Sequence, residues 1–352
     1  MNNYKVIGVM SGTSLDGVDI AYCVFSEQNG KWSYCIEYAE TLPYNKAWKE
    51  TLGTLENSTA FRFASVHKEY GHFLGKLVSD FIAKHHILPD SVASHGHTIF
   101  HQPDKRITCQ IGDGAAIAAE CGIPVVCDFR SVDVALGGQG APLVPIGDKF
   151  LFSDFDYCLN LGGFANISYE CNAKRIAFDI SPVNIVLNRL ALLLGKEFDY
   201  KGELAASGKL NQSLLDDLNN LEYYRLNPPK SLGKEWLREY IWPIMDKYNI
   251  STQDKLCTFC EHVSVQVSYA SKDMSFGRMI ITGGGTYNDF LISRIKAYSH
   301  HEIFLPDNRT IDFKEALIFA FLGVLRVRND INCFCSVTGA SKDNICGAVY
   351  LG

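Results

Sequence analysis

The chain has 352 residues, 47% hydrophobic and 20% charged, with a formal net charge of −6. That length exceeds one ordinary hydrophobic core, so two domains are expected in a composition typical of globular proteins. The acidic balance, without a run of five basic residues, argues against nucleic acid or an anionic membrane as partner, and no apolar stretch is long enough to span a bilayer.

Three antiparallel strands are predicted at the start, KVIGVM, VDIAYCVF and KWSYCIEYAETL, followed by a long helix in FRFASVHKEYGHFLGKLVSDFIAKHH. SVASHGHTIF and PVVCDF read as buried strands around the helix DGAAIAAECG. The run Ala135-Leu-Gly-Gly-Gln-Gly-Ala-Pro142 then reads as a hinge, placing a first α/β domain at 1–135 and a second at 136–352. The pattern restarts after it: YCLNLGGFANISYE is strand, glycine turn, strand, and RIAFDI is a third strand, which suggests an internal duplication. Helices follow, then the strand RMIIT with a GGG turn, the strand EIFLP, and the apolar helix FKEALIFAFLGVLRVRND, with the carboxy-terminal helix expected back on the first domain.

The amino-terminal MNNYKVIGVM has no leader pattern, and most of the twelve cysteines lie in apolar runs where a thiol behaves as a small hydrophobe. A reducing, cytoplasmic setting is expected. The close pairs Cys257/Cys260 and Cys333/Cys335 lack a second ligand pair, so no protein-held metal is expected.

Three glycine turns directly follow apolar strands: SGTSLDG, GGFAN and GGGTYN. Glycine lets backbone N–H groups turn toward an anion without a Cβ in the way, and the hydroxyls of Ser11, Thr13 and Ser14 add donors. Neither a P-loop nor a GxGxxG fingerprint is present. A nucleotide held by paired hairpins is the remaining reading.

GVMSGTSLDGVDIA, DFRSVDVALGGQGAPLVP, NLGGFANIS and SVTGASKDNICGAVYLG together resemble the anhydro-N-acetylmuramic acid kinases, from Gly8 to the carboxy terminus. The resemblance implies an α/β, duplicated two-domain fold of the actin, Hsp70 and sugar-kinase type with a central nucleotide cleft. It also implies an ATP-dependent enzyme that opens the 1,6-anhydro ring with water and phosphorylates O6, in cell-wall recycling. The first phosphate hairpin would span 8–21, with Gly12, Thr13, Ser14, Leu15, Asp16, Gly17, Val18 and Asp19 at ATP. The second would span 157–170, with Gly162, Gly163 and Asn166, and Gly283, Gly284 and Gly285 in the loop 282–288 would lie under adenosine. Mg²⁺ would enter with ATP near Asp16 or Asp19; Asp19 is equally read as a solvent-side strand residue. The expected partners are ATP and a small sugar, with a homodimer left open as the assembly.

AFDISPVN offers the base. Asp179 ends a strand, Ser181-Pro182 has the pattern of a helix cap, and the positive helix end would keep the carboxylate ionised. The competing reading is a capping Asp without chemistry. The family pattern Asp-Thr-Gly-Pro-Gly-Asn is altered here to Asp-Ile-Ser-Pro-Val-Asn, so a kinase of the same fold acting on another amino sugar stays open, as does a nucleotide-binding protein without turnover. His95, His97 and His101 would share one strand face, but carboxylates at ligand spacing are missing. His97, where the family commonly has Gln, and Thr98 are candidate sugar contacts. Arg130 either pairs with Asp128 or Asp133 or grips a lactyl carboxylate. Glu315 is either helix-terminal charge or a sugar-hydroxyl contact.

Overall fold

The computed structural model describes residues 3–12 and 15–352. They form two compact units: residues up to Phe152 together with Phe313–Gly352, and Ser153–Asp312.

In the first unit β1 (Asn3–Ser11), β2 (Gly17–Gln28) and β3 (Lys31–Pro43) make an antiparallel meander. Four consecutive residues of β1, Val6 to Val9, are buried, as in a strand covered on both faces. The helix Ala60–His85 starts at Thr59, whose hydroxyl accepts the Arg62 N–H, and stops where His86 turns left-handed. β4 (Ser91–Gln102) runs parallel to β1, β5 (Ile107–Ile111) is antiparallel to β4, and β6 (Val125–Cys127) is parallel to β4.

In the second unit β7 (Tyr157–Leu161), β8 (Phe164–Cys171) and β9 (Lys174–Pro182) repeat the meander, and β10 (Arg278–Thr282) and β11 (Glu302–Phe304) add parallel strands beside β7. The helix Thr252–Ser271 is buried along most of its length and contributes Leu256, Phe259, Val263 and Val267 to this unit's core. The chain returns to the first unit through the helix Asn308–Arg328, whose regular geometry lapses at Phe313, and closes with β12 (Ala348–Tyr350) antiparallel to β6.

The sheet orders are β12-β6-β4-β1-β2-β3 and β11-β10-β7-β8-β9. Each carries the same antiparallel triplet followed by two parallel strands on the first strand's other side, so the duplication expected from the sequence is present in topology. The chain changes unit at 152/153 and 312/313, not at 135/136. The glycine-rich run is no hinge because it is pinned inside the first unit: the N–H groups of Gly138 and Gly140 bond to the Asp133 carbonyl and carboxyl, and Gln139 N–H to the Thr338 carbonyl.

Candidate active site

β1 is approached closely by a helix at Gly8. A Cβ on Gly8 would stand 1.9 Å from the Ala316 carbonyl oxygen, so only glycine admits the helix Asn308–Arg328 here. Glu315, next to Ala316, is near Asp19 of β2: burial raises its carboxyl, Asp19 adds to the rise and Arg130 opposes it. Glu315 therefore has charged neighbours beyond its own helix terminus. Asp19 Oδ1 accepts the Thr41 hydroxyl at 2.6 Å. Leu15 is left-handed (φ 61°), and its N–H reaches the Gly12 carbonyl at 3.5 Å. The Asp16 carbonyl accepts Tyr44 N–H, Gly17 abuts the β3 backbone, and Val18 is buried in the core. Thr13 and Ser14 lie outside the described residues.

Gly96 (φ 71°) breaks the alternation of β4 and sends its histidines to different partners. The His95 Nδ1–H donates to the Gly96 carbonyl at 2.9 Å, and Nε2 accepts from Arg130 Nε and Nη2 at 3.0 and 2.9 Å. Burial, then the Arg130 charge, hold His95 well below the ordinary histidine range. Arg130 Nη1 donates to the Gly140 carbonyl at 2.6 Å. The guanidinium is thus fixed by a neutral imidazole and a carbonyl, and of its two readings the pairing with Asp128 or Asp133 is not what holds it: Asp128 takes the Ser131 hydroxyl, and Asp133 is filled by other donors. His97 Nδ1 lies 2.8 Å from Ser11 Oγ, Thr98 Oγ1 accepts from Gln110 Nε2 at 3.3 Å, and His101 Nδ1 meets Thr108 Oγ1. No group of three or more ligating residues able to hold a metal occurs among the described residues.

In the second unit three backbone turns converge. The N–H groups of Val183 and Asn184 bond to the carbonyls of Gly163 and Gly162, and Asn184 Nδ2 donates to the Leu161 carbonyl at 3.1 Å. Gly283 (φ 86°) lies against Asn160 and Leu161, with 2.6 Å between a hypothetical Cβ and Asn160 Oδ1; Gly285 packs on Leu161 and Gly284 faces Asn184. The two predicted glycine loops of this unit are therefore neighbours, joined through Asn184. Asn166 sits opposite Asp179 in the β8–β9 register, beside a bulge at Ala165/Asn166.

Asp179 differs from its expected setting. β9 continues through Ser181 and Pro182, the Ser181 hydroxyl donates to the Pro182 carbonyl, and the helix Asn184–Leu192 begins without a side-chain cap. The carboxyl is not held ionised by a helix end: burial raises it above the usual carboxylate range, and the Leu232 N–H, 2.9 Å from Oδ2, is the opposing influence. The segment 223–232 clamps β9 at Asp179, with the Tyr223 hydroxyl on the Asp179 carbonyl (2.7 Å) and Asp179 N–H on the Lys230 carbonyl (3.2 Å). Lys230 donates to the Tyr223 carbonyl and lies over the Phe178 and Tyr223 rings, and its burial lowers the ammonium. A half-buried carboxyl with raised basicity and a single backbone donor is equipped to accept a proton.

The family model for anhydro-N-acetylmuramic acid kinase matches residues 4–352. The chain belongs to the anhydro-N-acetylmuramic acid kinase family. Relatives of that name include one from Francisella tularensis subsp. novicida (strain U112), 35% identical over 99% of both chains, and one from Paramagnetospirillum magneticum (strain ATCC 700264 / AMB-1), 34% identical over 95% of this chain and 96% of the other. Among solved structures, the activator of the 2-hydroxyisocaproyl-CoA dehydratase from Clostridium difficile with bound ADPNP aligns with 92% of this chain and 97% of its own, at 12% identity and a TM-score of 0.45.

Two sequence motifs that carry the anhydro-N-acetylmuramic acid kinase resemblance meet at one side chain. Asp133, fully buried, accepts from Thr338 Oγ1 (2.8 Å), Asn344 Nδ2 (2.9 Å) and Cys333 Sγ (3.1 Å) on Oδ1, and from Gly140 N–H (2.8 Å) on Oδ2. DFRSVD and SVTGASKDN thereby serve as a structural clasp behind Arg130. Sequence reasoning missed His95 as the partner of Arg130, and Tyr223, Lys230 and Leu232 around Asp179. His95 carried a signal, because a buried guanidinium requires an acceptor; the 223–232 segment carried none.

Proposed function

We propose that the chain phosphorylates 1,6-anhydro-N-acetylmuramic acid with ATP, opening the anhydro ring with water. Asp179 takes a proton from water as that water attacks the anomeric carbon. The C1–O6 bond breaks, and O6 attacks the γ-phosphorus to give N-acetylmuramic acid 6-phosphate and ADP. The observation that carries this reading is the half-buried, basicity-raised carboxyl of Asp179, three residues before the end of β9.

In the second unit, Gly162, Gly163 and Asn166 would face phosphate and Gly283, Gly284 and Gly285 the adenosine. In the first, Gly12 to Asp19 would form the other phosphate turn. Asp16 and Asp19 supply the hard carboxylate oxygens that suit Mg²⁺, an ion that takes one or two carboxylates plus phosphate oxygens. When bound, that ion would neutralise charge developing on the transferring phosphoryl group. Arg130 would bind the lactyl carboxylate: its Nε edge and Nη1 are already committed to His95 and Gly140, so the remaining N–H groups are presented in a fixed orientation. His97, Thr98 and Glu315 would contact the sugar. The altered Ile180-Ser181-Pro182-Val183 stretch is accommodated in β9 and its exit, with Ile180, Ser181 and Val183 all buried.

ADP release in a coupled assay tests the reading. The anhydro sugar should support turnover, with N-acetylmuramic acid and N-acetylglucosamine far poorer. Equal rates for all three, or none, would overturn it.

A further inference from the structure

Asp179 sits on β9, the last strand in the order of the second sheet, and both of its main-chain groups bond outside that sheet. An uncovered strand edge leaves such groups wanting partners, and the segment 223–232 supplies them. The Lys230 carbonyl accepts the Asp179 N–H at 3.2 Å, and the Tyr223 hydroxyl donates to the Asp179 carbonyl at 2.7 Å. Edge cover alone would end there. The same segment goes on to the side chain, where the Leu232 N–H donates to Oδ2 at 2.9 Å. Three of the four polar atoms of Asp179 are thus held by one segment, and Oδ1 accepts no hydrogen bond among the described residues.

The two carboxyl oxygens are therefore unequal. An oxygen already engaged by a donor is the poorer proton acceptor, and the N–H resists rotation of the carboxyl because turning it would break a charge-assisted bond. Few groups face this carboxyl. Burial raises the Tyr223 hydroxyl and Asp179 adds to the rise, so Tyr223 stays a neutral donor. Lys230 lies over the Tyr223 and Phe178 rings, and Phe178 leaves β9 on the core face, opposite to Asp179. β8 presents Asn166 opposite Asp179, and an amide does not titrate.

We propose that Leu232 is a positioning residue that acts through its main-chain N–H: it engages Asp179 Oδ2 and leaves Oδ1 as the oxygen that takes the proton of the attacking water. This rests on the reading of Asp179 as the base. The water oxygen bonds to the anomeric carbon as C1–O6 breaks, one water proton passes to Oδ1, and O6 takes the γ-phosphoryl group as ADP leaves. The N–H also favours the ionised carboxylate, which keeps the base available at lower pH than burial alone would allow. Tyr223 and Lys230 act one step further back, by fixing the main chain at Asp179 against the segment that carries Leu232.

Amide NMR of the full chain labelled with nitrogen-15 leucine tests the contact, with Leu232 assigned by its loss in Leu232→Ile. The Leu232 amide proton should move downfield as pH rises through the ionisation of Asp179, and this titration should vanish in Asp179→Asn. A Leu232 amide that does not titrate in the wild-type protein would overturn the proposal. Incorporating the α-hydroxy acid analogue of leucine at position 232 then replaces the N–H by an ester oxygen and keeps the side chain. The acid limb of kcat should shift upward by about one pH unit, the difference between a donor's worth to a charged and to a neutral carboxyl. On that limb kcat should fall about tenfold, with the plateau above it and KM for ATP kept. An unmoved limb, or an equal loss at every pH, would overturn the role of Leu232 and reduce the segment to edge cover. Asp179→Asn separates this from the reading beneath it. Near-normal turnover in that variant overturns the base itself, whereas an inactive variant beside an unmoved limb in the ester protein overturns the role of Leu232 alone.

Discussion

Replacing Asp179 by Asn separates chemistry from stability. The variant keeps an acceptor oxygen for the Leu232 N–H, and the Tyr223 hydroxyl bonds to the Asp179 main chain, so the clamp around this part of β9 survives. What disappears is the capacity to hold a proton, and loss of a general base costs ~10²- to 10⁴-fold in kcat. Stability should move the other way. Burial raises the folded-state value of this carboxyl even against the Leu232 N–H, so the folded protein binds the proton more tightly than the unfolded chain does. That contribution is fully present below the unfolded value and is lost as pH rises through the folded one. At neutral pH the wild-type protein therefore carries a half-buried charge that Asn removes, and Asp179→Asn should melt at an equal or higher temperature. The difference should shrink as pH falls through the carboxylate range. Steady-state kinetics with calorimetry between pH 4 and pH 8, about the span of that range and neutrality, reads both. Near-normal kcat in Asp179→Asn, or a variant much less stable at neutral pH, would refute the base assignment and leave Asp179 as a structural residue.

Other outcomes follow from the same geometry. Arg130→Lys replaces a three-point anchorage with one point charge and should raise KM for the sugar by about one to two powers of ten, the worth of a charge-assisted pair, with KM for ATP nearly unchanged; equal rises in both, or a fall in melting temperature alone, would make Arg130 structural. Asp133→Ala strands the donors of Gly140, Thr338 and Asn344 and should cost at least ~3 kcal/mol in denaturant unfolding; a loss under about 1 kcal/mol would refute the clasp. Gly283→Ala forces a Cβ at positive φ against Asn160 and Leu161 and should raise KM for ATP more than KM for the sugar; the reverse order would remove this loop from the nucleotide.

The parts of this protein written in local chemistry were legible in its sequence. Strand alternation and glycine turns gave both meanders and the loops at 162–163 and 283–285, because each signal lies within a few residues of what it builds. The partners were not legible. Asp179 is set by an N–H from Leu232, 53 residues on, Arg130 by His95, 35 residues back, and Asp133 by donors about two hundred residues away. The glycines at 137–140 misled because flexible composition reads as a hinge until the Asp133 carboxyl and the distant Thr338 carbonyl that pin the run are seen. Ser181-Pro182 misled because a proline that opens many helices also sits at a strand's end, and β9 runs through it.

The most direct test of the central claim is identification of the product. Purified protein with Mg–ATP and 1,6-anhydro-N-acetylmuramic acid should yield ADP and a ring-opened 6-phosphate in equal amounts, by phosphorus NMR and mass spectrometry, with none from Asp179→Asn. A phosphorylated sugar that keeps its anhydro bond, or ADP without any sugar phosphate, would contradict coupled hydrolysis and phosphoryl transfer at this site.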